Sequence, residues 1–148
     1  MIQEARQLIM HNMGEKACYL LCMDWIAESL LAQRTDSVES YLHCLEKGWC
    51  DSECFMLGPE LLLGWRTRKT WKQIRRLDGA VSLPLDTVPQ PNWKVLMRYE
   101  RQFTSETKSH FVVVSPSAGF TVLHDPYGNS DTVANGKPVS LRAFMEVL

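Results

Sequence analysis

The hydrophobic pattern of this chain changes its period part-way along, and that change restricts the folds open to it. From Lys16 to about Gln33 the positions Cys18, Leu21, Cys22, Trp25, Ile26, Ser29 and Leu30 recur at helical spacing, with Tyr19, Leu20, Met23, Ala27 and Leu31 on the flanks. A helix apolar around most of its circumference is expected in a core rather than on a surface. Further on, Val95, Met97 and Tyr99 alternate with Leu96, Arg98 and Glu100, the period of a half-exposed strand. Between the two patterns, Pro84, Pro89 and Pro91 make residues 84–92 a stiff, extended connection. The class this predicts is α+β, with a helical half of about 1–78 and a strand-rich half of about 93–148. The helices have no sheet of their own and the strands no cover of their own. With 148 residues, the expectation is one domain over 1–148.

Local chemistry fills in the elements. Asp36 is the expected N-cap of a second helix, with Glu39 three residues later in a capping-box pattern and Gly48 as its stop. Val38, Tyr41, Leu42 and Leu45 form its apolar stripe. Residues 49–54 read as a loop, and Pro59 opens a short helix through Leu63. Trp71, Ile74 and Leu77 fit either a continued helix or a strand, and Asp78-Gly79 marks a turn. Residues 109–115 and 120–125 read as strands of a hairpin turning at 116–119. The stretch 126–138 is a loop with one short strand at 132–134. Ser140 is the expected cap of a terminal helix carrying Leu141, Phe144, Met145 and Leu148.

The formal net charge of −1 provides no global field for nucleic acid or an anionic membrane. The basic residues Arg66, Arg68, Lys69, Lys72, Arg75 and Arg76 read as a solvated face, and the five tryptophans as core or cleft walls rather than platforms for bases. No apolar run approaches the roughly 20 residues of a membrane span. The first residues, with Glu4 and Arg6, are not those of a secretory signal. Five cysteines, an odd number in a chain that needs no staples, read as reduced thiols of a cytoplasmic protein.

Among those cysteines, Cys18 stands at a helix start, where backbone N–H groups and the positive helix pole favour a thiolate. Of the four histidines, His43 reads as a packing residue beside its helix stripe, and His11 lies near the turn before Cys18. His110 opens the apolar strand Phe111-Val112-Val113-Val114. If Ser117 and Ala118 are the two loop residues of the hairpin, Pro116 pairs with Gly119, and counting back sets Asp125 opposite His110. Residues so opposed have Cβ atoms roughly 4.5–5.5 Å apart, which an aspartate–imidazole hydrogen bond bridges. A one-residue shift of the loop sets His124 there instead. The carboxylate would fix the tautomer of the ring and leave its other nitrogen to take a proton from a thiol.

A cysteine at a helix start, followed by a histidine and an aspartate on successive strands, resembles the papain-like cysteine peptidase fold. The strings Ser109-His110-Phe111-Val112-Val113-Val114 and His124-Asp125-Pro126-Tyr127-Gly128 are similar to the His and Asp-Pro regions of the double-glycine-leader (bacteriocin-processing) peptidases. Ala17-Cys18-Tyr19 and the stretch 48–59, with Asp51, Cys54 and Phe55, resemble an uncharacterised papain-like family found in phages and spirochaetes. The resemblance implies a central helix bearing Cys18 packed on a small antiparallel sheet. It implies Cys18 as nucleophile, His110 as general base and Asp125 as its orienting residue, acting on a peptide or protein substrate without a cofactor. The oxyanion hole would combine the Cys18 N–H with a side-chain amide. Where such enzymes carry glutamine this chain has Asn12, shorter in reach, with Gln7 or Gln3 as substitutes. Tyr19 stands where a small residue is usual, and either crowds the cleft or packs.

Two other readings compete. One is a papain-like binding protein that holds a host factor or small molecule without turnover. The other is a zinc site of His43, Cys44, Cys50 and Cys54, which the spacing disfavours: Cys50-x3-Cys54 is not a usual knuckle, and His43 and Cys44 point about 100° apart on a helix. The expectation is therefore no metal.

Overall fold

A computed structural model of the chain describes residues 17–78, 90–117, 120–128 and 130–148. Its architecture is α+β, and it divides into two compact units, Met1–Thr70 and Trp71–Leu148. The expectations for His11, Asn12, Gln3 and Gln7, and for the connection up to Pro89, lie outside the described residues.

The first unit contains helices α1 (Cys18–Leu31), α2 (Ser37–Lys47) and α3 (Pro59–Thr67), with α1 packed against both of the others. Cys18 is the first residue of α1. The buried side of α1 is Leu20, Cys22, Met23, Asp24, Ile26 and Ala27, while Leu30 and Leu31 at its end are exposed. Helix α2 begins as its sequence indicates: the Asp36 carboxylate accepts the Val38 N–H at 3.0 Å. It ends at Gly48, whose φ of 76° lets its N–H return to Cys44 and Leu45 carbonyls. Glu39, expected as the capping-box partner, bonds Arg66 of α3 at 2.9 Å. Leu42, expected in the apolar stripe of α2, is exposed, and the buried set is Val38, Ser40, Tyr41 and Cys44. His43 packs as expected, stacked on Trp65 at 3.8 Å and edge-on to Trp49 at 5.1 Å.

The second unit is a five-stranded antiparallel sheet in the order β1-β5-β2-β3-β4, formed by β1 (Trp71–Asp78), β2 (Lys94–Gln102), β3 (Thr107–Val114), β4 (Val122–His124) and β5 (Lys137–Glu146). A short helix, α4 (Asp131–Asn135), packs on β2 and β3. The segment 71–78, open between helix and strand, is a strand, so the sheet begins earlier than the strand-rich half was expected to.

Three expectations are corrected by these elements. The terminal segment is not a helix capped by Ser140 but strand β5, which pairs with β1 on one side and β2 on the other. Its apolar residues mimic helical spacing because Leu141, Ala143 and Phe144 are buried on both faces of the sheet, with no alternation for the sequence to display. Residues 132–134 are helical rather than a strand, because Ser130 accepts the Thr132 N–H at 3.2 Å and starts α4. Strand β2 is not half-exposed: Val95, Leu96 and Met97, which point to both faces of the sheet, are all buried.

Register builds the core of the sheet. Val95 lies opposite Val114 and Ala143, and Met97 lies opposite Val112 and Leu141. These residues and Phe120 form one cluster, with Ile74, Trp93, Tyr99 and Val133 packed against it. Two places along β3, the same row ends at His110, which faces Tyr99. Among the described residues no helix is long and apolar enough to cross a membrane.

Candidate active site

His110 projects from β3 on the face that carries Val112 and Val114, and its side chain is 3 % exposed. Its Nε2 lies 2.5 Å from Asp125 Oδ1, so the pair expected from the sequence forms. The route to it differs from the hairpin arithmetic. The expected partner of Pro116, Gly119, lies outside the described residues, but the register beside it is not the one counted: Val114 faces Val122 and Val113 faces His124, with an irregularity between them. The Ser115 N–H bonds the Thr121 carbonyl at 2.8 Å, one residue away from the Phe120 that the counted register would set opposite it. Asp125 consequently lies beyond the end of β4, not across the ladder from His110.

A turn brings it back. The Gly128 N–H closes onto the Asp125 carbonyl at 3.0 Å, and Gly128 takes the positive φ of 80° that suits glycine. Within this turn the Asp125 carboxylate accepts two backbone N–H groups: Tyr127 at 2.9 Å on Oδ1 and Ser130 at 3.1 Å on Oδ2. Asp-Pro turn chemistry and the orientation of His110 are thus performed by the same side chain.

The hydrogen bonds determine what the imidazole can do. A carboxylate is an acceptor only, and both oxygens of Asp125 already accept N–H groups, so Nε2 must donate its proton to Oδ1. In the neutral ring Nδ1 then carries the lone pair. Nδ1 is buried and has no hydrogen-bond partner among the described residues. An acceptor without a donor in a buried position is costly to maintain, and such atoms concentrate where chemistry is done. On the outer side, the Tyr127 ring stacks on the imidazole, with centroids 4.6 Å apart and planes 18° from parallel.

Cys18 belongs to the first unit, and the His110–Asp125 pair to the second. Its thiol is half-buried at the head of a 14-residue helix that has no side-chain cap at Ala17. The first intrahelical bond runs from the Leu21 N–H to the Ala17 carbonyl at 2.9 Å, so the N–H groups of residues 18–20 precede the ladder and define the positive pole. Tyr19, beside it, is half-buried. The candidate amide donor, Asn12, is among the residues not described.

The other thiols have a different environment. Cys44, Cys50 and Cys54 are buried together, and burial pushes the Cys44 and Cys54 thiols up to about 12. Among the described residues, no three His, Cys, Asp or Glu side chains are arranged to hold a metal ion.

One polar cluster was not foreseen from the sequence. The buried Asp24 of α1 accepts the Ser40 hydroxyl at 2.8 Å, and its Oδ1 lies 3.8 Å from Nε of Arg66. Arg66 in turn donates to Ser40 Oγ at 2.6 and 3.0 Å and to the Asp36 carbonyl at 2.8 Å. The Arg66 side chain, expected on a solvated basic face, is instead a joint between α2 and α3. Burial pushes the Asp24 carboxyl up to about 6. The signal was a lone acid in the apolar run Leu20-Leu21-Cys22-Met23-Asp24-Trp25-Ile26.

A family model matches residues 1–146, nearly the whole chain. The chain belongs to the DUF261 family. That family is described as proteins of unknown function, so membership establishes kinship without assigning chemistry. No curated protein and no solved structure gives a significant match. The chemistry of this DUF261 protein therefore has to be inferred from its own residues.

Proposed function

We propose that this chain is a papain-like cysteine hydrolase that cleaves a peptide or amide bond, with Cys18 as nucleophile, His110 as base and Asp125 as orienting residue. The observation that carries the reading is the His110 ring: Nε2 is engaged by a carboxylate that can only accept, and Nδ1 is left as a buried base. The order of the described elements supports it too, with a cysteine-headed helix ahead of the antiparallel sheet that carries His110 and of the turn after β4 that carries Asp125.

In this mechanism Nδ1 takes the proton of the Cys18 thiol, and the sulfur attacks the carbonyl carbon of the scissile amide. The tetrahedral oxyanion is stabilised by the Cys18 N–H and the Asn12 amide; loss of one such donor typically costs on the order of 100- to 1000-fold in rate. Collapse breaks the C–N bond, and the leaving amine receives the proton from His110. Water, deprotonated by Nδ1, then attacks the thioester carbonyl and releases the acid and the thiol. Asp125 stays ionised throughout and stabilises the imidazolium.

Alkylation with iodoacetamide tests this in the full chain. Cys18 is expected to react selectively, with Cys44 and Cys54 protected by burial. Its rate should rise through an apparent pKa below the about 8.5 of a free thiol, and His110→Gln should return the profile toward that value. A Cys18 that is inert, or whose profile ignores His110→Gln, would refute the hydrolase and favour a module that binds its partner without turnover.

A further inference from the structure

The face of the sheet opposite His110 carries a polar row to which the mechanism assigns no role. Register sets Asp78 of β1 opposite Ser140 of β5, Ser140 opposite Arg98 of β2, and Arg98 opposite Phe111 of β3. Arg76 and Arg142, which pair with each other, stand two residues along on the same face. His110 is next to Phe111 in β3 and so points to the other side.

The bonds within this row leave it with an excess of positive charge. Asp78 Oδ1 accepts Arg142 Nη2 at 2.9 Å and the hydroxyl of the fully buried Ser140 at 3.2 Å, while Oδ2 accepts Arg76 Nε at 3.0 Å. The hydrogen bond from Arg76, with further help from Arg142 and Ser140, holds the Asp78 carboxyl down to about 2. Having given its proton to Asp78, the Ser140 hydroxyl accepts from Arg98, Nε at 3.3 Å and Nη2 at 3.0 Å. Arg98 is half-buried, and its Nη1 has no partner among the described residues. The nearest acid along β2, Glu100, lies opposite Lys137. Three guanidinium groups thus share one carboxylate, and arginine does not shed its proton to relieve the difference.

We propose that this corner of the sheet is an anion site that takes a phosphate group, held by the guanidinium groups of Arg98 and Arg76. Both are already aimed: Arg76 is anchored on Oδ2 of Asp78, and Arg98 is tied to Oδ1 through Ser140. Each uses only part of its donor fork on these anchors, and the planar fork suits the oxygens of a phosphate. The surplus of two charges matches a dianion better than a single carboxylate. Because the site lies on the face away from His110, it neither completes the hydrolase nor depends on it.

Isothermal titration calorimetry of the full chain with phenyl phosphate tests this, with benzoate as a probe of the same ring and a single charge. At low ionic strength phenyl phosphate should bind saturably with a Kd on the order of 1 mM, and benzoate at least about ten-fold more weakly. Inorganic phosphate should compete for the same site. Arg98→Gln and Arg76→Gln should each weaken phenyl phosphate at least about five-fold. The Arg76 side chain is 63 % exposed on its strand, so its replacement should fold whatever the fate of Arg98→Gln. Cys18→Ala should bind as the unaltered protein does, which separates this site from the fate of the hydrolase reading. No saturable binding, equal affinity for benzoate, or an affinity unchanged by Arg76→Gln would overturn the proposal.

Discussion

Asp24 offers the sharpest test of how the helical unit is held together. Its carboxyl is 2 % exposed, accepts the Ser40 hydroxyl, and has Oδ2 buried without a partner among the described residues. Burial is the largest influence and raises it from the ordinary 3.8 to about 6; hydrogen bonds from Ser40 and Ser37 and the charge of Arg66 offset only part of that. Because the folded state holds its proton to higher pH than the unfolded chain, unfolding releases a proton between the two values. Stability therefore falls as pH rises from about 4 to about 6, and the deficit is fully present above that. A rise of this size corresponds to about 3 kcal/mol. Asp24→Asn mimics the protonated carboxyl, so at pH 7 it should be more stable than the unaltered protein by about 1–3 kcal/mol, the lower part of that range allowing for an imperfectly bonded amide. Denaturant unfolding under reducing conditions, followed by the fluorescence of Trp25, Trp49 and Trp65 in this unit, measures it. The advantage of the Asp24→Asn variant should shrink as pH is lowered to about 4, where the folded-state Asp24 is protonated. A less stable variant at pH 7, or an advantage independent of pH, would refute the account.

Two further perturbations follow from the same geometry. Arg66→Ala removes the charge 3.8 Å from Asp24 and four hydrogen bonds to α2 and its N-cap, and should destabilise by about 3–5 kcal/mol. Combined with Asp24→Asn it should cost less than the single changes imply, a coupling on the order of 1 kcal/mol or more in a double-mutant cycle. In the sheet unit, a Cβ on Gly136 would sit 2.1 Å from the Thr132 carbonyl oxygen and 2.6 Å from that of Glu100, both backbone atoms that cannot yield alone. Gly136→Ala should lower stability by about 3 kcal/mol or more, read from thermal unfolding, and a near-neutral result would mean that α4 and β2 are not so closely apposed.

What could be read from the sequence was whatever is determined within a few residues. The Asp36 cap and the Gly48 stop are such features, since each depends on a side chain or a φ angle at one position. Strand β5 is the opposite case. Its neighbours β1 and β2 lie far from it in sequence, and residues on both of its faces are buried, so the alternation that marks a strand is absent. Arg66 was misjudged for a related reason. Its partners Asp24, Asp36, Glu39 and Ser40 come from other helices, and a basic run carries no sign of which member turns inward.

The His110–Asp125 pair lies between these extremes, and the way it forms bears on its use. A pair dependent on ladder register would be lost with a one-residue slip, because a slip reverses the face of every side chain. Here the observed register is not the one that sets Asp125 across from His110, yet the bond exists, because Asp125 is fixed by its own turn through the N–H groups of Tyr127 and Ser130. Those same N–H groups keep the carboxylate in an acceptor role, which requires Nε2 to be the donor and leaves the lone pair of the neutral ring on Nδ1. The Asp-Pro turn is therefore not an alternative explanation for the conspicuous aspartate. By fixing the carboxylate, the turn sets the tautomer of the histidine, and the tautomer decides which nitrogen is left to accept a proton.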